Sequence, residues 1–227
     1  MSITVISTRD CVAHGLKICI YGFSGVGKTS LAATIPGSKI ILSAEAGLLC
    51  LKDLDIPAIV IESPEDLDNA HTWLEKDKQG MTYQTIVIDS VTEIAEQILD
   101  YELEHSKDGR MAYGAMGQQM RKMVKAFRDF SGRNVIFIAQ AEKQKDENVG
   151  ATFLSPSFPG QKLGNKVPYY FDACLYMKIE RDGRRVLQTA GDFMVLAKDR
   201  SGELDAMEEP DLEVIFTKMA ASKGGSK

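Results

Sequence analysis

Short apolar runs alternate along this chain with longer stretches in which apolar side chains recur every three or four positions, a pattern that predicts strands alternating with helices around a mostly parallel sheet. Lys17–Tyr21, Lys39–Leu42, Ala58–Ile61 and Thr85–Asp89 are short and rich in β-branched residues, as strands are. Val135–Ala139 is apolar throughout, which suits a central strand covered on both faces. Lys28–Ile35 reads as a short helix stopped by Pro36-Gly37. Ser63-Pro64-Glu65-Asp66 starts another, with Leu67, Ala70, His71 and Leu74 on one face. Ser90-Val91-Thr92-Glu93 is a capping box that opens a third, with Ile94, Ile98 and Tyr101 in register. A fourth, Met116–Phe130, carries an apolar stripe of Met116, Met120, Met123, Phe127 and Phe130 opposite Arg121, Lys125 and Arg128. His71 and Trp73 read as packing residues.

Beyond the central strand the pattern changes. Glu142–Val167 lacks periodicity and is rich in Gly, Pro, Ser and Lys, which predicts an irregular segment of the kind that carries function. Ala173–Glu180 alternates, Asp182-Gly183 supplies a tight turn and Arg185–Thr189 returns, so an antiparallel hairpin is expected toward the carboxyl end, followed by a strand at Phe193–Ala197. The expected organisation is an amino-terminal segment over 1–16, a core over 17–218 and a disordered tail over 219–227. Within the first segment, Ile3–Ile6 reads either as an edge strand docking on a neighbouring protomer or as a strand of its own sheet.

Composition narrows the class without deciding it. At 227 residues, 44% hydrophobic and 26% charged, the chain has the material for one sizeable core. Its net charge of -5 argues against a protein that coats itself in polyanion, while leaving room for a local basic groove. Cys11, Cys19, Cys50 and Cys174 form no metal-ligand or disulfide spacing, so reduced thiols and a cytoplasmic location are expected. The first residues lack the pattern of a signal peptide, and no apolar run approaches the ~20 residues that span a bilayer.

The chemistry begins at Gly22-Phe23-Ser24-Gly25-Val26-Gly27-Lys28-Thr29, which matches the phosphate-binding loop pattern and sits between a predicted strand and a predicted helix. Gly22, Ser24, Gly25, Val26, Gly27, Lys28, Thr29 and Ser30 are therefore the candidate cradle for the polyphosphate of ATP. Glycines let backbone N–H groups curl around phosphate oxygens, Lys28 reaches the β- and γ-phosphates, and Thr29 places its hydroxyl on Mg²⁺. Three further polar residues fall at strand ends, where ligands of parallel sheets sit. Asp89 is the candidate partner of Thr29 at Mg²⁺, Glu45 the candidate base for the attacking water, and Gln140 the candidate sensor of the γ-phosphate.

Phosphate loop, Ala44-Glu45, Ile88-Asp89-Ser90, strand-terminal Gln140 and a following loop, in that order, resemble the RecA ATPase core over roughly Lys17–Gly202. The resemblance implies an α/β, RecA-like P-loop NTPase with helices flanking a mostly parallel sheet. It also implies catalytic roles for Glu45, Lys28 and Gln140, and a DNA-binding loop at Glu142–Val167. Lys198-Asp199-Arg200-Ser201-Gly202 is similar to the Lys-x-Arg step that RecA-fold ring helicases insert into a neighbouring subunit's ATP site, which implies a homo-oligomer, ring or filament, with Lys198 and Arg200 acting in trans. Small size and the Ala197–Gly202 stretch look most like the short phage-type recombination proteins of the Sak group. No counterpart of RecA's carboxyl-terminal domain is evident, and Ser43–Gly47 matches RecA only partly, so annealing is expected rather than full strand exchange.

These implications combine into one expectation, an ATPase that assembles on single-stranded DNA and promotes annealing or homologous pairing, with a single-strand-binding protein as a candidate partner. Its DNA surface would be Lys143, Lys145, Lys162 and Lys166 interleaved with Phe153 and Phe158, aided by Lys107, Arg110 and Tyr113, with Glu142, Asp146 and Glu147 diluting the charge. The alternatives are a non-hydrolysing nucleotide sensor that binds a protein partner, a RecA-fold helicase motor, and, with no arginine-rich lid to support it, a small-molecule kinase.

Overall fold

The computed structural model describes residues 14–45, 47–145, 150, 152–158 and 167–221. Its organising element is β1 (Lys17–Gly22), buried along its whole length. A strand so placed must be apolar or satisfied internally. Lys17 meets that condition by donating its ammonium to the carbonyls of His14 and Phe130, both at 3.0 Å.

β1 lies in register with β5 (Asn134–Lys145) on one side and β7 (Ala173–Ile179) on the other, parallel to both. Outward from β5 the parallel order continues through β4 (Thr85–Asp89), β2 (Lys39–Ser43) and the edge strand β3 (Ala58–Val60). Outward from β7 the sheet turns antiparallel through β8 (Arg185–Gln188) and β10 (Met207–Glu208), while β9 (Lys198–Asp199) pairs the first residues of β7.

Alternation along the strands sends side chains to two cores. Cys19, Tyr21, Ile86, Ile88 and Phe137 face α1 (Pro64–Lys76), α2 (Val91–His105) and α3 (Gly109–Arg128), whose Leu74, Ile94, Met116, Met120 and Phe127 fill that side. Ile18, Ile20, Val87, Ile136 and Ile138 face the turn after the phosphate loop and α4 (Leu212–Ala220), which buries Leu212, Ile215, Phe216 and Met219. Because Met219 belongs to this core, the folded unit runs through α4 and past the expected boundary at 218. The caps expected at Ser63 and Ser90 are formed, each hydroxyl accepting the N–H three residues on.

Several expectations are corrected. The segment after the phosphate loop is a 3-10 helix over Thr29–Thr34, not an α-helix over Lys28–Ile35. Tyr101 is 50% exposed and stacks on His105, so it leaves the apolar stripe of α2. The helix expected at Met116 begins at Gly109, capped by the Asp108 carboxylate, which accepts from Arg110 N–H at 2.9 Å. Phe193–Ala197 is not a strand: Asp192 accepts from Met194 and Val195 N–H, and only Val195 makes a β-bridge, to Leu154.

The largest change is at Glu142–Val167. β5 does not end at the core but continues through Lys145, and β6 (Thr152–Pro156) pairs back antiparallel along it, from Ala141 opposite Pro156 to Lys145 opposite Thr152. Most of the described residues of the segment expected to be irregular therefore form a two-stranded ribbon that continues the central strand. Residues 1–13, 46, 146–149, 151, 159–166 and 222–227 lie outside the described residues, and with them Cys11, the expected docking strand Ile3–Ile6, Asp146, Glu147, Lys162, Lys166 and the last six residues of the expected tail.

Candidate active site

β1, β4 and β2 end at one edge of the sheet, where β5 passes through Gln140 and continues into the ribbon. Register places Gly22 beside Gln140, Ile138 beside Asp89, and Asp89 beside Ser43. The strand bearing Gln140 thus stands between the strand that launches the phosphate loop and the strand that ends in Asp89.

Side chains converge across that edge. Thr29 Oγ donates to Asp89 Oδ2 at 2.5 Å, and Lys28 Nζ donates back to the carbonyls of Gly22 at 2.9 Å and Phe23 at 3.0 Å. Asp89 is 4% exposed, and burial raises its pKa; the Thr29 hydroxyl and the Lys28 ammonium oppose that rise, while the Glu45 carboxylate adds to it. Burial lowers the pKa of Lys28, against the pull of Asp89 and Glu45. These mutual influences define one electrostatic cluster, in which a single ammonium faces two carboxylates and so carries spare negative charge.

Glu45 is held by its neighbours on β4 and β2. Ser90 Oγ donates to Glu45 Oε1 at 2.5 Å, Ser43 Oγ donates to the Glu45 carbonyl at 2.6 Å, and Ala44 N–H donates to the Asp89 carbonyl at 2.8 Å. Ser90 was legible as the cap of α2 but not as a partner of Glu45. Gln140 is fixed through its backbone: its N–H donates to Thr92 Oγ at 3.0 Å and its carbonyl accepts from Ser157 N–H at 2.7 Å, while its side chain stands exposed.

Within the loop, Ser24, Gly25 and Ser30 are exposed and Val26 is buried. Gly25 and Gly27 have φ of 79° and 103°, conformations open chiefly to glycine. Arg185, which no local signal in the sequence brings to this place, donates Nε to the Val26 carbonyl at 3.0 Å. Tyr21, immediately before the loop, donates its hydroxyl to the Leu196 carbonyl at 2.7 Å, with the Leu154 carbonyl 3.1 Å away.

Thr29 and Asp89 fit a Mg²⁺ ion bound together with nucleotide. They offer a hydroxyl and a carboxylate, hard oxygen donors, at one point beside the phosphate loop. No group of three or more acidic, histidine or cysteine ligands occurs among the described residues, and Mg²⁺ needs none: it binds through one or two carboxylates, water and phosphate oxygens.

The profile of a family described as "AAA domain" matches residues 14–201, more than half of the chain and all of the site just described. The chain belongs to the AAA domain family. No curated protein matches it. As an AAA domain it is a P-loop protein of the nucleotide-binding, ATPase type. No helix of the described residues is long and apolar enough to cross a membrane.

The remaining expected site residues lie elsewhere in this AAA domain. Lys198 is half-buried opposite Cys174; burial lowers its pKa, Arg200 adds to the effect, and Cys174, Asp172 and Cys19 oppose it. Arg200 donates Nη2 to the Tyr169 carbonyl at 2.7 Å and its backbone N–H to the Asp172 carbonyl at 3.0 Å. Asp172 in turn accepts from Lys17 N–H at 2.9 Å, at the start of β1. The phosphate loop leaves the other end of that strand, about 16 Å away at 3.3 Å per residue, so Arg200 stands at the end of β1 remote from the loop. Lys198, opposite Cys174 and so level with Cys19, stands nearer to it along the strand.

Phe158 is 1% exposed and packs into the helical-side core, so its ring is not available to a base. Phe153 lies opposite Gln144, whereas Lys143 lies opposite Leu154 and Lys145 opposite Thr152. Paired residues of an antiparallel ribbon share a face and successive ones alternate. Phe153 therefore occupies the face opposite Lys143 and Lys145, and the expected interleaving is corrected to a basic face and an aromatic face. Lys107, Arg110 and Tyr113 are exposed at the start of α3. Phe158→Leu, which trims a fully buried ring, is expected to lower stability by about 1 kcal/mol or somewhat more. Denaturant unfolding of the variant beside the wild type checks it.

Proposed function

We propose that this AAA domain is a Mg²⁺-dependent, RecA-like ATPase that assembles on single-stranded DNA and promotes annealing, in the manner of the short phage-type Sak-group proteins. The observation that carries the reading is the convergence of Thr29, Asp89, Glu45 and Lys28 on one edge of the sheet, with Gln140 on the strand between them. Lys28 and the loop amides would bind the triphosphate, Thr29 and Asp89 would hold the metal, and Glu45, aligned by Ser90, would take the proton of the attacking water. Mg²⁺, when bound, neutralises charge on the phosphate oxygens. Gln140 offers its amide to the γ-phosphate.

The DNA half of the proposal rests on continuity. Gln140, Lys143 and Lys145 belong to one strand, so an amide at the nucleotide and cations at the ribbon share a rigid element. Tyr21 ties the base of the phosphate loop to Leu154 of β6 and to Leu196, two residues from Lys198. Phosphate neutralisation by Lys143 and Lys145 accounts for sequence-tolerant, salt-sensitive binding. In a ring or filament, Lys198 and Arg200 of one protomer would serve the site of the next.

The test measures ATP turnover with and without single-stranded DNA, with the same sample imaged for oligomers. Stimulated turnover, salt-dependent DNA affinity and assemblies are expected. Absence of salt-dependent affinity, with ATP and without it, removes the DNA role; binding without turnover leaves a nucleotide sensor instead.

A further inference from the structure

The β7–β8 hairpin forms a wall behind the phosphate loop. A Cβ on Gly22 would lie 2.4 Å from the Met177 carbonyl oxygen, and one on Gly27 would lie 3.2 Å from Arg185 Nε and 3.4 Å from both Arg185 Cδ and Met177 Cε. A Cβ on Gly25 would meet nothing within 4 Å. Two of the loop's three glycines are thus pressed against the hairpin, and between them Arg185 Nε grips the Val26 carbonyl at 3.0 Å.

We propose that Arg185 is a positioning residue for nucleotide binding, holding the Val26–Gly27 peptide so that its N–H faces the phosphates. The peptide unit is planar and trans, so its carbonyl and its N–H point in opposite directions. A guanidinium that draws the Val26 carbonyl outward turns the Gly27 N–H inward, into the cradle. Gly27, at φ of 103°, has no side chain to resist rotation of that peptide, so an external anchor supplies what the loop's own flexibility removes. The anchor is itself braced. Arg185 opens β8 opposite Ile179, directly after a turn closed by Gly183 N–H to the Glu180 carbonyl at 2.9 Å and by Arg184 N–H to Asp182 Oδ1 at 3.0 Å. Its permanent charge also adds positive potential beside the anion site.

This inference rests on the nucleotide-binding reading of the site and deepens it. Arg185→Met removes the donor and charge while keeping most of the stem against Gly27; Arg185→Lys keeps the charge. Calorimetry with the full chain and Mg²⁺ measures the Kd of ADP and of a non-hydrolysable ATP analogue, and thermal unfolding of the nucleotide-free protein is followed in parallel. For Arg185→Met, Kd is expected to rise about fivefold for both nucleotides alike, and because the Val26 bond is already made in the free protein the unfolding midpoint is expected to fall by no more than about 2–4 °C. Arg185→Lys should fall between it and the wild type.

An unchanged Kd overturns the proposal, as does a loss confined to the ATP analogue, which would mean a γ-phosphate contact, or a midpoint lowered so far that the variant is partly unfolded at the temperature of the titration. Should Arg185→Met not fold, Arg185→Lys carries the same comparison. Wild-type protein that binds neither nucleotide defeats the underlying reading, whereas wild-type binding matched by Arg185→Met defeats only the role of Arg185.

Discussion

Lys28→Ala is expected to raise the Kd for both ATP and ADP about a hundredfold or more, roughly what two charge-assisted hydrogen bonds contribute, without unfolding the protein. In the free protein the ammonium is parked on the Gly22 and Phe23 carbonyls at 2.9 and 3.0 Å. Nucleotide binding exchanges these neutral acceptors for phosphate oxygens, so the gain is made only in the complex. Removing the ammonium leaves two carbonyls beside an exposed loop, where water can satisfy them. It also ends the burial that lowers the lysine's pKa, and both effects keep the stability of the free protein near its starting value. Calorimetry with Mg²⁺ checks the affinity and thermal unfolding checks the fold. Unaltered heats of binding would mean that the anion is held elsewhere.

What was legible in the sequence was local. The phosphate loop, the capping serines and the polar residues that follow apolar runs at Glu45, Asp89 and Gln140 are read from neighbours a few positions apart. The parallel sheet then gathers them at one edge as a consequence of topology, although β5 runs on past Gln140 to Lys145. Helix α3 was partly hidden because Gly109, Gly114 and Gly117 weaken the signal of its first turns. Helix α4 escaped because Val214, Ile215 and Phe216 in sequence read as readily as strand; what makes it a helix is the Asp211 cap, which accepts from Glu213 and Val214 N–H, and an apolar face pressed on the sheet.

The nonlocal features were illegible for a physical reason. Glu142 and Gln144 alternate with Lys143 and Lys145, an all-polar run without a buried face, so nothing in its periodicity announces a strand; the ladder with β6 makes it one. Phe158 looks like a base-stacking candidate in a polar context, yet folding carries it into the core with Phe171 and Val195. Arg200 reads as a cation beside a turn, and only folding brings its guanidinium to the carbonyl of Tyr169, 31 positions away. Arg185 is separated from Val26 by 159 positions, and only the hairpin's place against β1 brings them together.

Glu45→Gln isolates the chemical step from binding. The amide oxygen of glutamine accepts the Ser90 hydroxyl as the carboxylate Oε1 does now at 2.5 Å, so the side chain keeps its place while losing its basicity. Turnover is expected to fall about 10²- to 10³-fold, within the range general-base catalysis contributes. Affinity should hold or improve, because the substitution removes one of two carboxylates facing a single ammonium and an incoming polyanion. The same loss relieves Asp89 of the neighbour that helps raise its pKa, which favours the ionised form that binds metal. Single-turnover hydrolysis at saturating ATP, set beside calorimetric Kd values, separates the two effects. Turnover within twofold of wild type would take the base assignment away from Glu45 and leave it a residue that only shapes the field around Lys28.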